Sequence, residues 1–80
     1  MKVPRDISGD EFIRALSVLG YVPLRQEGSH MRLICRERGV HHISVPRHKS
    51  LHVGTFSYLL GLVGKHHGLT RDELLRRLFG

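Results

Sequence analysis

The spacing of apolar residues changes period twice along this chain, and that change constrains the fold more than any other feature. Between Ser8 and Gly20 the period is helical, with Phe12, Ile13, Leu16 and Leu19 on one stripe. Ser8-Gly9-Asp10-Glu11 has the Ser-x-x-Glu form of a capping box, in which each side chain takes up a backbone amide that the first helical turn leaves unpaired. Gly20 supplies the left-handed residue that ends such a helix, so the spacing predicts one amphipathic helix of about a dozen residues. From Tyr21 the period is two. Val22 and Leu24 alternate with Tyr21, Pro23 and Arg25, and Pro23, which cannot donate to a ladder, puts this strand at an edge. After a turn at Glu27-Gly28-Ser29, Met31, Leu33 and Cys35 alternate with His30, Arg32, Ile34 and Arg36, giving a second strand with one apolar and one mostly basic face. Glu37-Arg38-Gly39 turns the chain again. Ile43 and Val45 against His42 and Ser44 then make a third strand that stops at Pro46. Three strands joined by short turns predict an antiparallel meander.

The helical period returns with Val53, Phe56, Leu59, Leu60 and Val63, predicting a second helix that Gly61 weakens and that ends near Gly64. Thr70-Arg71-Asp72-Glu73 repeats the capping box ahead of Leu74, Leu75, Leu78 and Phe79, a last short helix. The predicted fold is α+β, α-β-β-β-α with a three-stranded antiparallel sheet plus a short C-terminal helix. Its helices pack on one face of the sheet and the other face is open to a ligand. Eighty residues without repeat or linker make one domain, residues 1–80. A fold of this size buries only about 60–65% of its unfolded surface, which excludes a large multi-substrate active site.

Thirteen Lys plus Arg against seven Asp plus Glu leave a net charge of +6, and ten of the thirteen cations are Arg. Guanidinium groups suit planar, bidentate contact with phosphate, so the first partner expected is a nucleic acid. The lone Cys35 cannot form an intramolecular disulfide and lacks thiol neighbours, which fits a reducing cytosol. No apolar run approaches the ~18 residues of a membrane helix. The start, Met1-Lys2-Val3-Pro4-Arg5-Asp6, has no apolar signal segment, and a cytoplasmic location is expected.

Arg25-Gln26-Glu27-Gly28-Ser29-His30 places an imidazole at the mouth of the first hairpin, and alternation puts His30 on one strand face with Arg32 and Arg36. A histidine exchanges protons near neutral pH, and neighbouring guanidinium groups hold a phosphodiester. Together they can cleave RNA without a metal: the imidazole deprotonates a 2′-hydroxyl for attack on the adjacent phosphorus, and arginine charge stabilises the transition state. The plainer alternative is an ordinary exposed strand histidine. Arg47, His48 and Lys49 precede the second helix, either as a phosphate site helped by the helix dipole or as a solvated basic loop. His41-His42 cannot chelate one ion, because strand neighbours point to opposite faces. His48 and His52, four apart, straddle a loop-to-helix junction and lack an accompanying carboxylate. No metal site and no cofactor are expected.

The Val3-Pro4-Arg5-Asp6 opening, Leu19-Gly20-Tyr21, Arg25-Gln26, Gly28-Ser29-His30, Val45-Pro46-x-His48 and Gly54-Thr55 form an ordered set over residues 1–78. That set resembles the HicA family of toxins, small messenger-RNA-cleaving proteins of bacterial and archaeal toxin–antitoxin pairs. The resemblance implies a double-stranded-RNA-binding-domain-like fold and an endoribonuclease whose catalytic residue, the His of Gly-Ser-His, is His30. Gly28 is then the matching turn glycine. Ser29 either orients the histidine, contacts phosphate or caps the turn. Tyr21 departs from the Trp or Phe frequent at that place, and the hairpin tip at residues 37–40 is of a variable kind. On this reading Arg25, Ser29, Arg32, Arg36, Arg47, His48 and Lys49 bind RNA, and His48 or water serves the leaving oxygen. A HicB-like antitoxin is the expected partner, covering the face in a hetero-oligomer while the free toxin is a monomer. The rival is a module of the same fold that binds RNA without cutting it.

Overall fold

In a computed structural model of the chain, residues 6–80 are described; the Val3-Pro4-Arg5 part of the opening lies outside them. The elements follow the predicted order: α1 (Gly9–Leu16), β1 (Val22–Glu27), β2 (His30–Cys35), β3 (His41–Pro46), α2 (Val53–His67) and α3 (Arg71–Phe79). The strands form one antiparallel sheet in the order β1-β2-β3, with β1 and its Pro23 at an edge. Helices α1 and α2 pack on β3, and α3 packs on both of them. No helix among the described residues is long and apolar enough to cross a membrane.

The apolar stripe of α1 meets that of α2 through Phe12 and Phe56, edge to face with centroids 5.1 Å apart. Phe12, Leu16, Leu33, Val45, Val63 and Leu74 are among the fully buried residues, each side chain worth about 1.5–3 kcal/mol in removal from water. The start of α1 is fixed to the end of β3. The Gly9 amide donates to the His48 carbonyl at 2.9 Å, and a Cβ on Gly9 would overlap the Pro46 carbonyl oxygen.

Helix α1 is α-helical over Gly9–Leu16 and continues as a 3₁₀ turn, Ser17–Leu19, to the left-handed Gly20, close to the expected dozen residues. The structure corrects four other expectations. Helix α2 does not end near Gly64; it runs to His67 and closes at the left-handed Gly68. Gly64 is buried inside it because the Leu69 carbonyl folds back to within 3.0 Å of where a Cβ would stand. Val22 and Leu24, the apolar positions in the alternation of β1, are 53% and 51% exposed, whereas Tyr21, set against them in that alternation, is 2% exposed. The helices pack more on β3 than on the edge strand, and a register shift between Pro23 and Arg25 resets the alternation of β1. Ile34 is buried on the face predicted to be basic, and Val53 is exposed.

Candidate active site

The first hairpin closes on a two-residue turn, Gly28-Ser29, between Glu27 and His30. Gly28 has φ 59° and Ser29 is not left-handed, the sign pattern of a II′ turn whose twist matches that of the strands. A Cβ on Gly28 would meet nothing within 4 Å, so the backbone angle and not space calls for glycine. Gln26 Nε2 donates to the Gly28 carbonyl at 2.9 Å, and the Arg47 amide donates to the Ser29 carbonyl at 2.7 Å. His30 therefore leaves the turn in a fixed register, with Glu27 opposite it on β1 and Pro46 on β3.

Alternation from that register sets the open face. His30 and Arg32 of β2 lie beside Glu27 and Arg25 of β1, with Pro46 and Ser44 on the other flank, opposite the face that buries Leu33 and Cys35. His30 is exposed. Glu27 lies between two guanidinium groups, 3.0 Å from Arg25 Nη2 and 3.6 Å from Arg32 Nη1. The three side chains are 41–66% exposed, so water and salt screen these pairs and the arginines are free to exchange the carboxylate for another anion.

Arg47 is placed differently. Its Nε and Nη2 donate to the two carboxylate oxygens of Asp10 at 2.7 and 3.2 Å, and its Nη1 donates to Gln26 Oε1 at 2.7 Å. These hydrogen bonds hold the Asp10 carboxyl below the usual carboxylate range and raise the arginine above its own. The fork joins the start of α1, the β1 side of the hairpin and the end of β3, so the Arg47 guanidinium braces the turn. His48 and Lys49 are exposed and follow directly from the backbone bonded to Ser29. Ser50, Leu51 and His52 separate them from α2, so the basic triplet does not stand at that helix's first turn. Arg36 is exposed one residue beyond β2, with the buried Ile34 between it and Arg32. At about 3.3 Å per residue it lies about 20 Å along the strand from His30.

The fold thus gathers Arg25, Ser29, His30 and Arg32 at one end of the open face, starts the His48-Lys49 segment beside them, and leaves Arg36 outside. Sequence reasoning missed Glu27, Asp10 and Gln26 as members of this site. For Glu27 a signal existed: the residues flanking a two-residue turn are cross-strand partners. Asp10 is 37 positions from Arg47, and no local pattern links them.

Comparison with known families gives one finding. The model of the HicA toxin of bacterial toxin–antitoxin systems matches residues 9–69. No curated protein and no solved structure matches.

Proposed function

The chain belongs to the HicA toxin family, the toxin half of a toxin–antitoxin pair, and from that premise we propose that it is an endoribonuclease that cleaves messenger RNA at His30. The observation that carries this reading is the exposed imidazole at the end of an open sheet face, on a braced turn and next to Arg25 and Arg32. The neutral imidazole takes the proton of a 2′-hydroxyl, and the 2′-oxygen attacks the adjacent phosphorus. Arg25 and Arg32 leave Glu27 for the non-bridging oxygens, where negative charge develops. The 5′-oxygen departs with a proton from His48 or from water, leaving a 2′,3′-cyclic phosphate. Ser29 and Lys49 extend the phosphate contacts on either side of the turn. A HicB-like antitoxin that covers this face blocks RNA access.

Substitution of His30 tests the assignment. The His30→Ala variant keeps the circular dichroism spectrum of the parent while losing cleavage of single-stranded RNA by about 100-fold or more, the low end of the range for a lost general base. A 2′-deoxy nucleotide at the scissile position stops the unmodified protein as well. A variant that folds and cleaves like the parent removes His30 from the reaction. A protein that binds RNA with salt-sensitive affinity and never cuts it is a binding module.

A further inference from the structure

The end of the sheet remote from His30 gathers donors that the open face does not use. Cys35 is the last residue of β2 and is fully buried. Its Sγ lies 3.9 Å from Nε2 of His67, and one donor atom each from Cys35, His66 and His67 fall within 4.8 Å of one another. His41, the cross-strand partner of Cys35, stacks on His66 with ring centroids 4.2 Å apart. Tyr21 completes the cluster, its ring 5.8 Å from His41 and 5.6 Å from His67.

Two observations set this cluster apart from ordinary core. The Nε2 of His41 and the hydroxyl of Tyr21, which flank the three donors, are buried without a hydrogen-bond partner among the described residues, an arrangement that buried polar groups ordinarily avoid. His66 Nε2 lies 2.9 Å from the Glu37 carbonyl oxygen. A carbonyl only accepts, so that nitrogen carries the proton and Nδ1 keeps the lone pair, the tautomer control that backbone carbonyls exert on ligating histidines.

We infer that Cys35, His66 and His67 form a zinc-binding site. One thiolate and two imidazoles are the donor types that select a borderline-soft cation over magnesium or calcium. Tetrahedral zinc with its usual bond lengths sets sulfur and nitrogen about 3.6 Å apart, a few tenths of an ångström inside the 3.9 Å separation here. Water takes the fourth position through the cleft that Leu19, Glu37, Arg38, His67, Leu69 and Arg77 line, about 260 Å³ in volume. Binding expels the Cys35 thiol proton to solvent. The ion joins the C-terminal end of β2 to the C-terminal turn of α2. His30 is five residues up the strand, about 17 Å away, so the zinc holds the fold together and takes no part in cleavage.

Cobalt is the spectroscopic probe. The full chain, stripped of metal and titrated with Co²⁺, develops a thiolate-to-cobalt charge-transfer band that saturates at one ion per chain and is displaced by Zn²⁺. Zinc at a hundredfold excess over its Kd raises Tm by roughly 11–22 °C. His66→Gln and His67→Gln, with circular dichroism spectra like the parent's, weaken zinc by about tenfold or more. His52→Gln, which breaks the competing His48 and His52 pair, leaves binding unchanged. Cys35 is in the core, so the two histidine variants keep the test valid if Cys35→Ser does not fold. Absence of the charge-transfer band in the parent overturns the site, as does zinc affinity that survives in His67→Gln or falls in His52→Gln.

Discussion

Glu27 is the residue on which the open face turns. A carboxylate opposite His30 repels the phosphodiester that the same face is proposed to hold, yet it also keeps Arg25 and Arg32 aimed across the strands. The pairs are half exposed and weakly bound, so RNA phosphate can displace the carboxylate at small cost. Glu27→Gln keeps the shape and removes the charge. It is expected to tighten binding of an uncleavable 2′-deoxy-substituted RNA up to about fivefold at low salt, a gain that fades as salt screens the surface. A filter-binding titration at several salt concentrations measures it, and affinity equal to the parent's shows that Glu27 does not compete with phosphate. At this scale Gly28 was legible in advance, since a two-residue turn between strands asks for φ > 0. The engagement of Arg47 was not: its letters are those of any basic loop, and only the fold delivers Asp10 and Gln26 to it.

At the scale of elements, both capping boxes formed as the letters require. Ser8 Oγ accepts from the Glu11 amide at 3.0 Å, and the Ser8 amide donates to Glu11 Oε1 at 2.9 Å. Thr70 and Glu73 do the same at 3.2 and 2.8 Å. These are contacts three residues apart, decided by local chain geometry. Gly9 has a role beyond the box, because its lack of a side chain lets α1 sit directly on the Pro46 carbonyl and so places Asp10 within reach of Arg47. The obstacle is backbone and cannot rotate away. Gly9→Ala is therefore expected to destabilise the fold by about 3 kcal/mol despite the better helix propensity of alanine. Urea unfolding reads this directly, and a midpoint equal to or above the parent's contradicts the close approach. Strand β1 and the end of α2 were misread for a related reason. Exposure of Val22 and continuation past Gly64 depend on what lies alongside, which period and propensity do not report.

For the whole molecule, the excess of +6 resolves into parts with different jobs. Arg25 and Arg32 face solvent beside His30, Arg47 braces the turn, and Arg36 stands away at the far end of the strand. Acid should loosen this molecule through its few carboxylates. Asp10 is held low by hydrogen bonds from Arg47, and Glu11 and Glu73 by the backbone amides of Ser8 and Thr70. Each has a folded pKa below its unfolded one, so its contribution is complete above the unfolded value and is lost as pH falls through the folded one, from about pH 4 downward. The urea midpoint is expected to drop between pH 5 and pH 3, and to drop less in the Glu11→Gln, Glu73→Gln double variant; equal slopes exclude the capping carboxylates as the cause. The sequence by itself determined the order of elements, the helix starts, the turn that carries His30 and the family. Those features rest on period two against period 3.6, on caps and turns closed within four residues, and on a motif read in order. Tertiary structure alone decided which arginines stay free, which face of β1 meets water, why Gly9 must be glycine and that Cys35 meets His66 and His67. Each of these joins residues about 30 or more positions apart or depends on the cover a neighbouring element provides, and only the folded chain brings such groups within bonding distance.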